Sequence, residues 1–224
     1  WGNQGSEIIL FLHGALQQGH SWDLVALSLA ADYRVLALDA RGHGDSQWAP
    51  DGDYSLDAHL RDLDGLVDAL GLDQFILVGH SMGGRNGYTF ASLRPEKVKA
   101  LVIVDMGPEF GSNGEARIRR FRELPDELDS YEEFATRIQE YTGRPLDQVL
   151  GSLKYSIRQR ADSKWTWKYD KVLRSPRRSM TPDPATTERL WEYAESLQCP
   201  TLVVRGAETD VVTAETAVAM QQRI

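Results

Sequence analysis

The stretch that decides the fold of this chain is FILVGHSMGG, residues 75–84. Its first four residues, Phe75–Val78, form a short apolar run that is typical of a buried strand. A G-x-S-x-G pattern follows directly, and the residues after it are compatible with a helix, which is the strand–turn–helix context that this motif requires. Glycines beside the serine make room for a tight turn, and the helix points its N-terminus at the hydroxyl. The pattern predicts that Ser81 is a nucleophile; an ordinary serine in a glycine-rich turn is the alternative.

Further apolar runs lie on both sides of this stretch and are separated by amphipathic segments. Continuously apolar strands that alternate with helices indicate a parallel sheet covered on both faces. The sequence therefore predicts an α/β fold. The other runs are Glu7–Leu12, Arg34–Leu38, Ala100–Val104 and Thr201–Arg205.

Two amphipathic segments predict helices on this sheet. Apolar residues recur at steps of three and four from Leu56 to Leu70, with Ser55 in the position of an N-cap. A second helix is expected over residues 21–33, with Leu24 and Leu27 among its apolar positions.

Length, charge and composition exclude several classes of protein. The chain has 224 residues and a net charge of −8, which argues against general nucleic-acid binding because phosphate contacts need clustered Lys and Arg. One cysteine cannot form an internal disulfide. No apolar run approaches the roughly 20 residues of a membrane span, and no signal peptide pattern precedes the first strand. We expect a cytoplasmic protein with no membrane partner, no metal and no cofactor; its oligomeric state is left open.

Residues 108–198 interrupt the alternating pattern. They contain no convincing buried strand, but several short helical segments separated by prolines, one of them with a capping box at Ser130 and Glu133. Within this segment, residues 115–178 hold 15 Lys and Arg against 11 Asp and Glu. These arginines could steer an anionic substrate or form a solvated helical face. We predict one core, residues 1–107 and 199–224, with residues 108–198 as an insertion.

Hydrolysis by a serine also needs hydrogen-bond donors for the oxyanion. One donor is expected at the backbone N–H of Met82, directly after the nucleophile. The other is expected in the loop after the first strand, where we predict the Ala15 N–H, with His13 and Gly14 shaping the turn. The alternative is that His13 and Gly14 only mark the end of the first strand.

Together these motifs resemble the α/β-hydrolase superfamily. The matching segments are FLHG (residues 11–14) with Trp22, DARGHGDS (39–46), GHSMGG (79–84) and PTLVVRG (200–206) with Asp210. The resemblance implies that residues 108–198 form a helical cap over an active site. It also implies a serine hydrolase for small carboxylic esters or lactones, by way of an acyl-enzyme on Ser81. The same triad serves carbon–carbon bond hydrolysis and cofactor-free haloperoxidation, and a ligand-binding protein without a working base is a further alternative.

Pocket residues are expected from three regions of the chain. Residues 13–22 resemble the equivalent loop of esterases and cofactor-free haloperoxidases, and the segment from Trp165 to Asp170 resembles one in uncharacterised bacterial hydrolases. The two tryptophans of that segment line the pocket or pack the cap's own core. The expected pocket residues are His13, Gly14, His20, Trp22, His80, Trp165 and Trp167.

The resemblance implies a triad acid at Asp210, with Asp105 as the rival. The base should follow the acid, yet all five histidines lie before it: His13, His20, His43, His59 and His80. His59 is expected on a solvated helix face, and His43 could approach the site. We expect the base, together with the terminal strands of the sheet, to lie outside these 224 residues in an active parent, the shorter chain alone being inactive; a member that has lost its base is the alternative.

Overall fold

The computed structural model describes residues 1–3, 5–123, 125–175 and 182–224. Five of the strands form one parallel sheet in the order β2-β1-β3-β4-β8, which confirms the α/β prediction. The other three form a small antiparallel sheet in the order β5-β7-β6. The strands of the described residues are β1 (Ile8–Leu12), β2 (Arg34–Leu38), β3 (Phe75–His80), β4 (Val98–Val104), β5 (Glu127–Leu128), β6 (Ile157–Gln159), β7 (Trp165–Trp167) and β8 (Thr201–Val204).

Helices cover both faces of the parallel sheet. Successive residues of a strand point to opposite faces, so Leu10 and Leu12 of β1 pack with α2, α3, α7 and α8, whereas Ile9 and Phe11 pack with α1. The α-helices of the described residues are α1 (Asp23–Leu29), α2 (Leu56–Ala69), α3 (Met82–Leu93), α4 (Ser112–Glu123), α5 (Tyr131–Thr142), α6 (Leu146–Leu153), α7 (Pro184–Glu195) and α8 (Ala214–Arg223). Single turns of 3₁₀-helix occupy Gly19–Trp22 and Lys171–Arg174.

The first helix differs from its prediction. A 3₁₀ turn precedes α1, which has only seven residues, and its buried residue is Ala26. The side chains that the sequence pattern placed inward, Leu24 and Leu27, are 85% and 61% exposed. The sequence pattern predicted one continuous helix, whereas the structure has a 3₁₀ turn followed by a short helix that buries Ala26 instead of the leucines.

Polar caps set the start of several helices. Ser55 Oγ accepts from the Ala58 N–H at the start of α2, and Ser130 Oγ accepts from the Glu133 N–H at the start of α5. Both were predicted as N-caps. Each cap satisfies a backbone donor that the first turn of a helix leaves without a partner.

The inserted segment contains strands as well as helices, which corrects the expectation of helices alone. Strands of two or three residues, such as β5 and β7, are too short to show a period in the sequence. Together with α5 and α6 they enclose a separate apolar cluster that includes Phe134, Leu153 and Trp167. Helix α7 instead packs in the main core through Leu190 and Trp191. We therefore propose that the cap ends before α7, earlier than residue 198.

One group of contacts between the cap and the core surrounds Asp170. Tyr54 donates from its hydroxyl to Asp170 Oδ2 at 2.5 Å, and the Asp170 N–H donates to the Gly42 carbonyl at 2.8 Å. Lys168 Nζ lies 2.8 Å from Asp45 Oδ1. Burial and the Asp170 contact raise the pKa of Tyr54 to about 12, so its hydroxyl keeps its proton and remains a donor.

Candidate active site

Ser81 occupies the sharp turn between β3 and α3. Its φ of 51° and ψ of −117° are unusual for a residue with a side chain and store roughly 1–3 kcal/mol of strain. Two hydrogen bonds hold the turn, because the Ser81 N–H donates to Val104 O at 2.9 Å and its carbonyl accepts from Arg85 N–H at 3.0 Å. Helix α3 begins at the next residue, so the positive end of its dipole lies at the serine.

The glycines of the motif are required by close backbone packing. A Cβ on Gly79 would lie 2.2 Å from Gly83 O, and a Cβ on Gly83 would lie 2.3 Å from Leu12 O. Both distances are far below van der Waals contact. The turn after β3 can therefore pack against the end of β1 only with glycine at these two positions.

His13 fixes the loop that follows β1. Its buried ring accepts from the Ala40 N–H through Nε2 at 3.0 Å and contacts Gly14 O through Nδ1 at 2.8 Å. These partners require a neutral ring with its proton on Nδ1. Burial lowers the pKa of His13, in agreement with a neutral ring.

The two expected oxyanion donors both border a cavity that Ser81 lines. Met82 is the first residue of α3, so its N–H has no acceptor within the helix. Ala15 shares two cavities with Ser81, and the next residue, Leu16, takes a φ of 63°. The structure thus brings both residues to the nucleophile.

Gln17 connects this loop to the nucleophile turn. Its Oε1 accepts from the Gly14 N–H at 3.0 Å and lies 3.1 Å from His80 Nδ1. Sequence reasoning missed this residue because a glutamine three positions after a glycine belongs to no motif that it used. His80 lines a cavity beside Ser81, and burial lowers its pKa, partly opposed by the charge of Asp105.

Two cavities meet at Ser81 and share Ala15 and Leu16. The first, of about 470 Å³, is lined by Arg85 and Arg122 and is called the arginine cavity below. The second, of about 570 Å³, is called the aromatic cavity. The cap contributes Phe121, Ile138, Tyr141 and Trp167 to its wall.

Both candidate acids line the aromatic cavity together with Ser81. Asp105 follows β4 with a φ of 51°, and its Oδ2 accepts from Thr209 Oγ1 at 2.8 Å. Its Oδ1 is buried and accepts no hydrogen bond from the part of the chain that the structure describes. Asp210 lies in the loop after β8, and its carbonyl accepts from the Gly114 N–H at 3.0 Å. The fold therefore brings Asp105 and Asp210 to the same side of the nucleophile.

The histidines do not complete a triad among the described residues, where none hydrogen-bonds the Ser81 hydroxyl. His43 is buried, lines the arginine cavity and contacts Arg41 O through Nδ1 at 2.9 Å. His59 is 3% exposed, which corrects the expectation of a solvated side chain. The reason is that this face of α2 covers the nucleophile turn, where His59 borders a small space beside Gly83.

Four expected pocket residues, His13, His20, Trp22 and Trp165, line neither cavity, which corrects the sequence-based expectation. His20 is on the surface, stacked on Tyr155 with ring centroids 3.7 Å apart, and Trp22 packs on Phe11 at 4.6 Å. Trp165 packs edge-on against Tyr131 inside the cap. His13 lies behind the loop that it shapes, while Gly14 and Trp167 line the aromatic cavity. A position in a motif therefore did not predict which way a side chain faces.

Two features are absent from the described residues. No group of three or more His, Cys, Asp or Glu side chains is arranged to hold a metal ion there. None of the helices in those same ranges is long and apolar enough to cross a membrane.

Comparisons with known proteins agree with this geometry. A 3-hydroxybutyrate-oligomer hydrolase of Cupriavidus necator is 30% identical over 234 residues, covering 100% of this chain and 80% of that protein. An esterase of Mycobacterium tuberculosis is 27% identical over 237 residues, and the match covers 100% of this chain and 73% of that protein. The crystal structure of an alpha/beta hydrolase from Novosphingobium aromaticivorans superimposes with a TM-score of 0.85 at 28% identity, covering 99% of this chain and 80% of that one. Residues 7–224 match the alpha/beta hydrolase fold family, and the chain therefore belongs to that family.

Proposed function

We propose that this protein hydrolyses carboxylic esters through an acyl-enzyme on Ser81. The observation that carries the proposal is the strained Ser81 turn, placed at the N-terminus of α3 and open to two cavities. An ordinary serine has no need of a backbone held at a φ of 51° and packed so closely that glycine is required on both sides. The similarity to an esterase and to an oligomer hydrolase supports ester substrates.

During the proposed reaction, negative charge develops on the carbonyl oxygen of the ester. Ser81 Oγ attacks the ester carbonyl while a base takes its proton, and the Ala15 and Met82 N–H groups stabilise the oxyanion that forms. Collapse of this intermediate expels the alcohol, which takes the proton from the base. Water then attacks the acyl-serine in the same way and releases the acid.

We assign Asp210 as the acid that orients the base, and Asp105 as the rival. Asp210 matches the loop after the late strand where the family carries this carboxylate. None of the five histidines follows Asp210, where the triad order places the base. Imidazole added to the buffer can take the same proton, so it is part of the test.

The test is hydrolysis of p-nitrophenyl acetate with and without imidazole. After subtraction of the rate that the same imidazole buffer gives without protein, we expect the remaining rate to fall at least about 100-fold in Ser81→Ala, because the nucleophile itself is lost. Ser28→Ala, which removes an exposed hydroxyl on α1, is the matched control and should keep the rate. Equal rates for the native sequence and Ser81→Ala would overturn the proposal.

The same assay tests the choice of acid. Asp210→Asn should lower the rate more than Asp105→Asn; the reverse order would assign the acid to Asp105.

A further inference from the structure

The candidate acids and the oxyanion donors divide the two cavities that meet at Ser81. Asp105 and Asp210 line the aromatic cavity, and neither of them lines the arginine cavity. Met82 lines the arginine cavity and not the aromatic one, and Ala15 lies where the two cavities meet. The acid that orients the base therefore borders one cavity, and the oxyanion donor on α3 borders the other.

This division assigns a direction to each group on the reacting carbon. The base takes a proton from Ser81 Oγ and passes it to the leaving alcohol, so the alcohol oxygen must lie beside the base. The base in turn must reach both Ser81 and its acid, which together line the aromatic cavity. The carbonyl oxygen turns towards the Ala15 and Met82 N–H groups. The acyl carbon takes the remaining direction, into the arginine cavity, whether the acid is Asp210 or Asp105.

The wall of the aromatic cavity suits an aromatic ring. Three aromatic side chains of the cap, those of Phe121, Tyr141 and Trp167, line it. They pack as one group, because the ring centroid of Phe121 lies 4.8 Å from that of Tyr141 and 5.8 Å from that of Trp167. A further ring bound against them gains tilted or edge-on contacts in addition to the burial of its apolar area.

The apolar part of the arginine cavity is mostly aliphatic. Methionine side chains among its residues adapt to groups of different shape, so this wall suits an aliphatic acyl chain. Phe110 adds one ring, which also packs against the main core. The leucines and methionines of this wall are Leu16, Leu56, Met82, Met106 and Leu173.

We infer that the leaving alcohol binds in the aromatic cavity and the acyl group in the arginine cavity. This inference rests on the proposed function and names the substrate class: esters of aliphatic acids with alcohols that carry an aromatic ring. Phe121 then contacts the alcohol, and Phe110 contacts the acyl chain. After the alcohol has left, the water that attacks the acyl-serine takes its place beside the base.

Two isomeric esters test the assignment, because they carry the same ring on opposite sides of the ester bond. Benzyl acetate has the ring on the alcohol, and methyl phenylacetate has it on the acyl group. Hydrolysis by the native sequence is measured in imidazole buffer, with the rate without protein subtracted. Relative to the rate at which hydroxide hydrolyses each ester, kcat/KM should be about 3- to 10-fold higher for benzyl acetate. A preference for methyl phenylacetate would overturn the inference, and this comparison needs no variant to fold.

The same substitution in each cavity gives a matched pair of variants. Phe121→Leu should lower kcat/KM for benzyl acetate about 3- to 10-fold and leave that for methyl phenylacetate unchanged. Phe110→Leu should lower kcat/KM for methyl phenylacetate and leave that for benzyl acetate unchanged. The unaffected ester shows in each case that the variant folds. The reverse pattern, or hydrolysis of both esters that each variant changes to the same extent, would overturn the inference.

The same measurements separate this inference from the proposed function. Hydrolysis of both esters that depends on Ser81 but lacks the crossed pattern keeps the ester hydrolase and overturns the assignment of the cavities. Hydrolysis of neither ester above the level of Ser81→Ala overturns the proposed function, and the assignment with it.

Discussion

At the scale of single residues, Gly83 shows how closely the nucleophile turn packs against β1. An added Cβ would lie 2.3 Å from Leu12 O, a backbone atom that cannot rotate away as a side chain would. We expect Gly83→Ala to lower the free energy of unfolding by more than about 3 kcal/mol, because either β1 or α3 must shift.

The matched control is Gly65→Ala on the exposed side of α2, where nothing lies within 4 Å of the added Cβ. It should raise the free energy of unfolding by about 0.5–1 kcal/mol through the better helix propensity of alanine. Urea unfolding measures both variants. Equal effects would show that the packing around Gly83 tolerates a side chain.

The neutral ring of His13 makes the stability of the fold depend on pH. The pKa of His13 is lower in the folded state than in the unfolded chain, so acid favours the unfolded state. Its contribution is present above about pH 6.5, the unfolded pKa, and is lost as the pH falls below it. Protonation of Nε2 also ends the hydrogen bond from the Ala40 N–H.

We expect the free energy of unfolding to fall between about pH 7.5 and about pH 5.5, and to fall less in His13→Asn. That variant starts from a lower stability, since it lacks the ring that holds the loop. Unfolding curves at both pH values measure these changes; an unaltered pH dependence in His13→Asn would exclude the ring as the titrating group.

At the scale of elements, Arg174 holds the end of α4 against the cap. Its side chain is 4% exposed, donates to the carbonyls of Phe121 and Arg122 and forms an ion pair with Asp126. The last carbonyls of a helix have no partner within it, so this guanidinium takes the place of a C-terminal cap. The same contacts position Phe121 in the aromatic cavity and Arg122 in the arginine cavity.

Arg174→Met should lower the free energy of unfolding by about 3–5 kcal/mol, because it leaves Asp126 and two carbonyls without their partner. Arg144→Met, at an exposed position between α5 and α6, should change it by less than about 0.5 kcal/mol. Chemical denaturation followed by tryptophan fluorescence measures both variants. A change in Arg174→Met no larger than that in the control would contradict this role.

Helices and strands whose apolar residues form a clear run or repeat could be predicted from the sequence, and elements without such a pattern could not. β3 and α2 have the apolar runs and capping residues that define them, so their positions follow from the sequence. β5 and β7 have two and three residues, and their pairing depends on a cap that no local pattern specifies. His59 was misjudged because the burial of a polar helix face depends on what packs over it, here the nucleophile turn.

In the candidate site too, residues that belong to a local motif could be predicted from the sequence, and residues brought there by long-range packing could not. Ser81, Ala15 and Met82 follow from a motif whose chemistry fixes the backbone. Arg122 belongs to no motif and lies at Ser81 only because the cap packs over the core. Long-range packing of that kind has no counterpart in the local pattern of residues.

At the scale of the whole molecule, the contact between Tyr54 and Asp170 joins cap and core. Tyr54→Phe removes the donor to a buried carboxylate and should lower the free energy of unfolding by about 1–3 kcal/mol. Limited proteolysis should then cut the cap faster than in the native sequence. Tyr33→Phe removes a hydroxyl away from this contact and is the control; equal proteolysis of the two variants would show that the contact does not hold the cap.

The central claim is that Ser81 is a nucleophile, and its reaction with a fluorophosphonate tests this most directly. Peptide mapping by mass spectrometry, with imidazole in the buffer, locates the adduct. We expect one adduct, on the peptide that contains Ser81, formed faster with imidazole than without it and absent from Ser81→Ala. An adduct on other residues, or the same extent of labelling in Ser81→Ala, would contradict the claim.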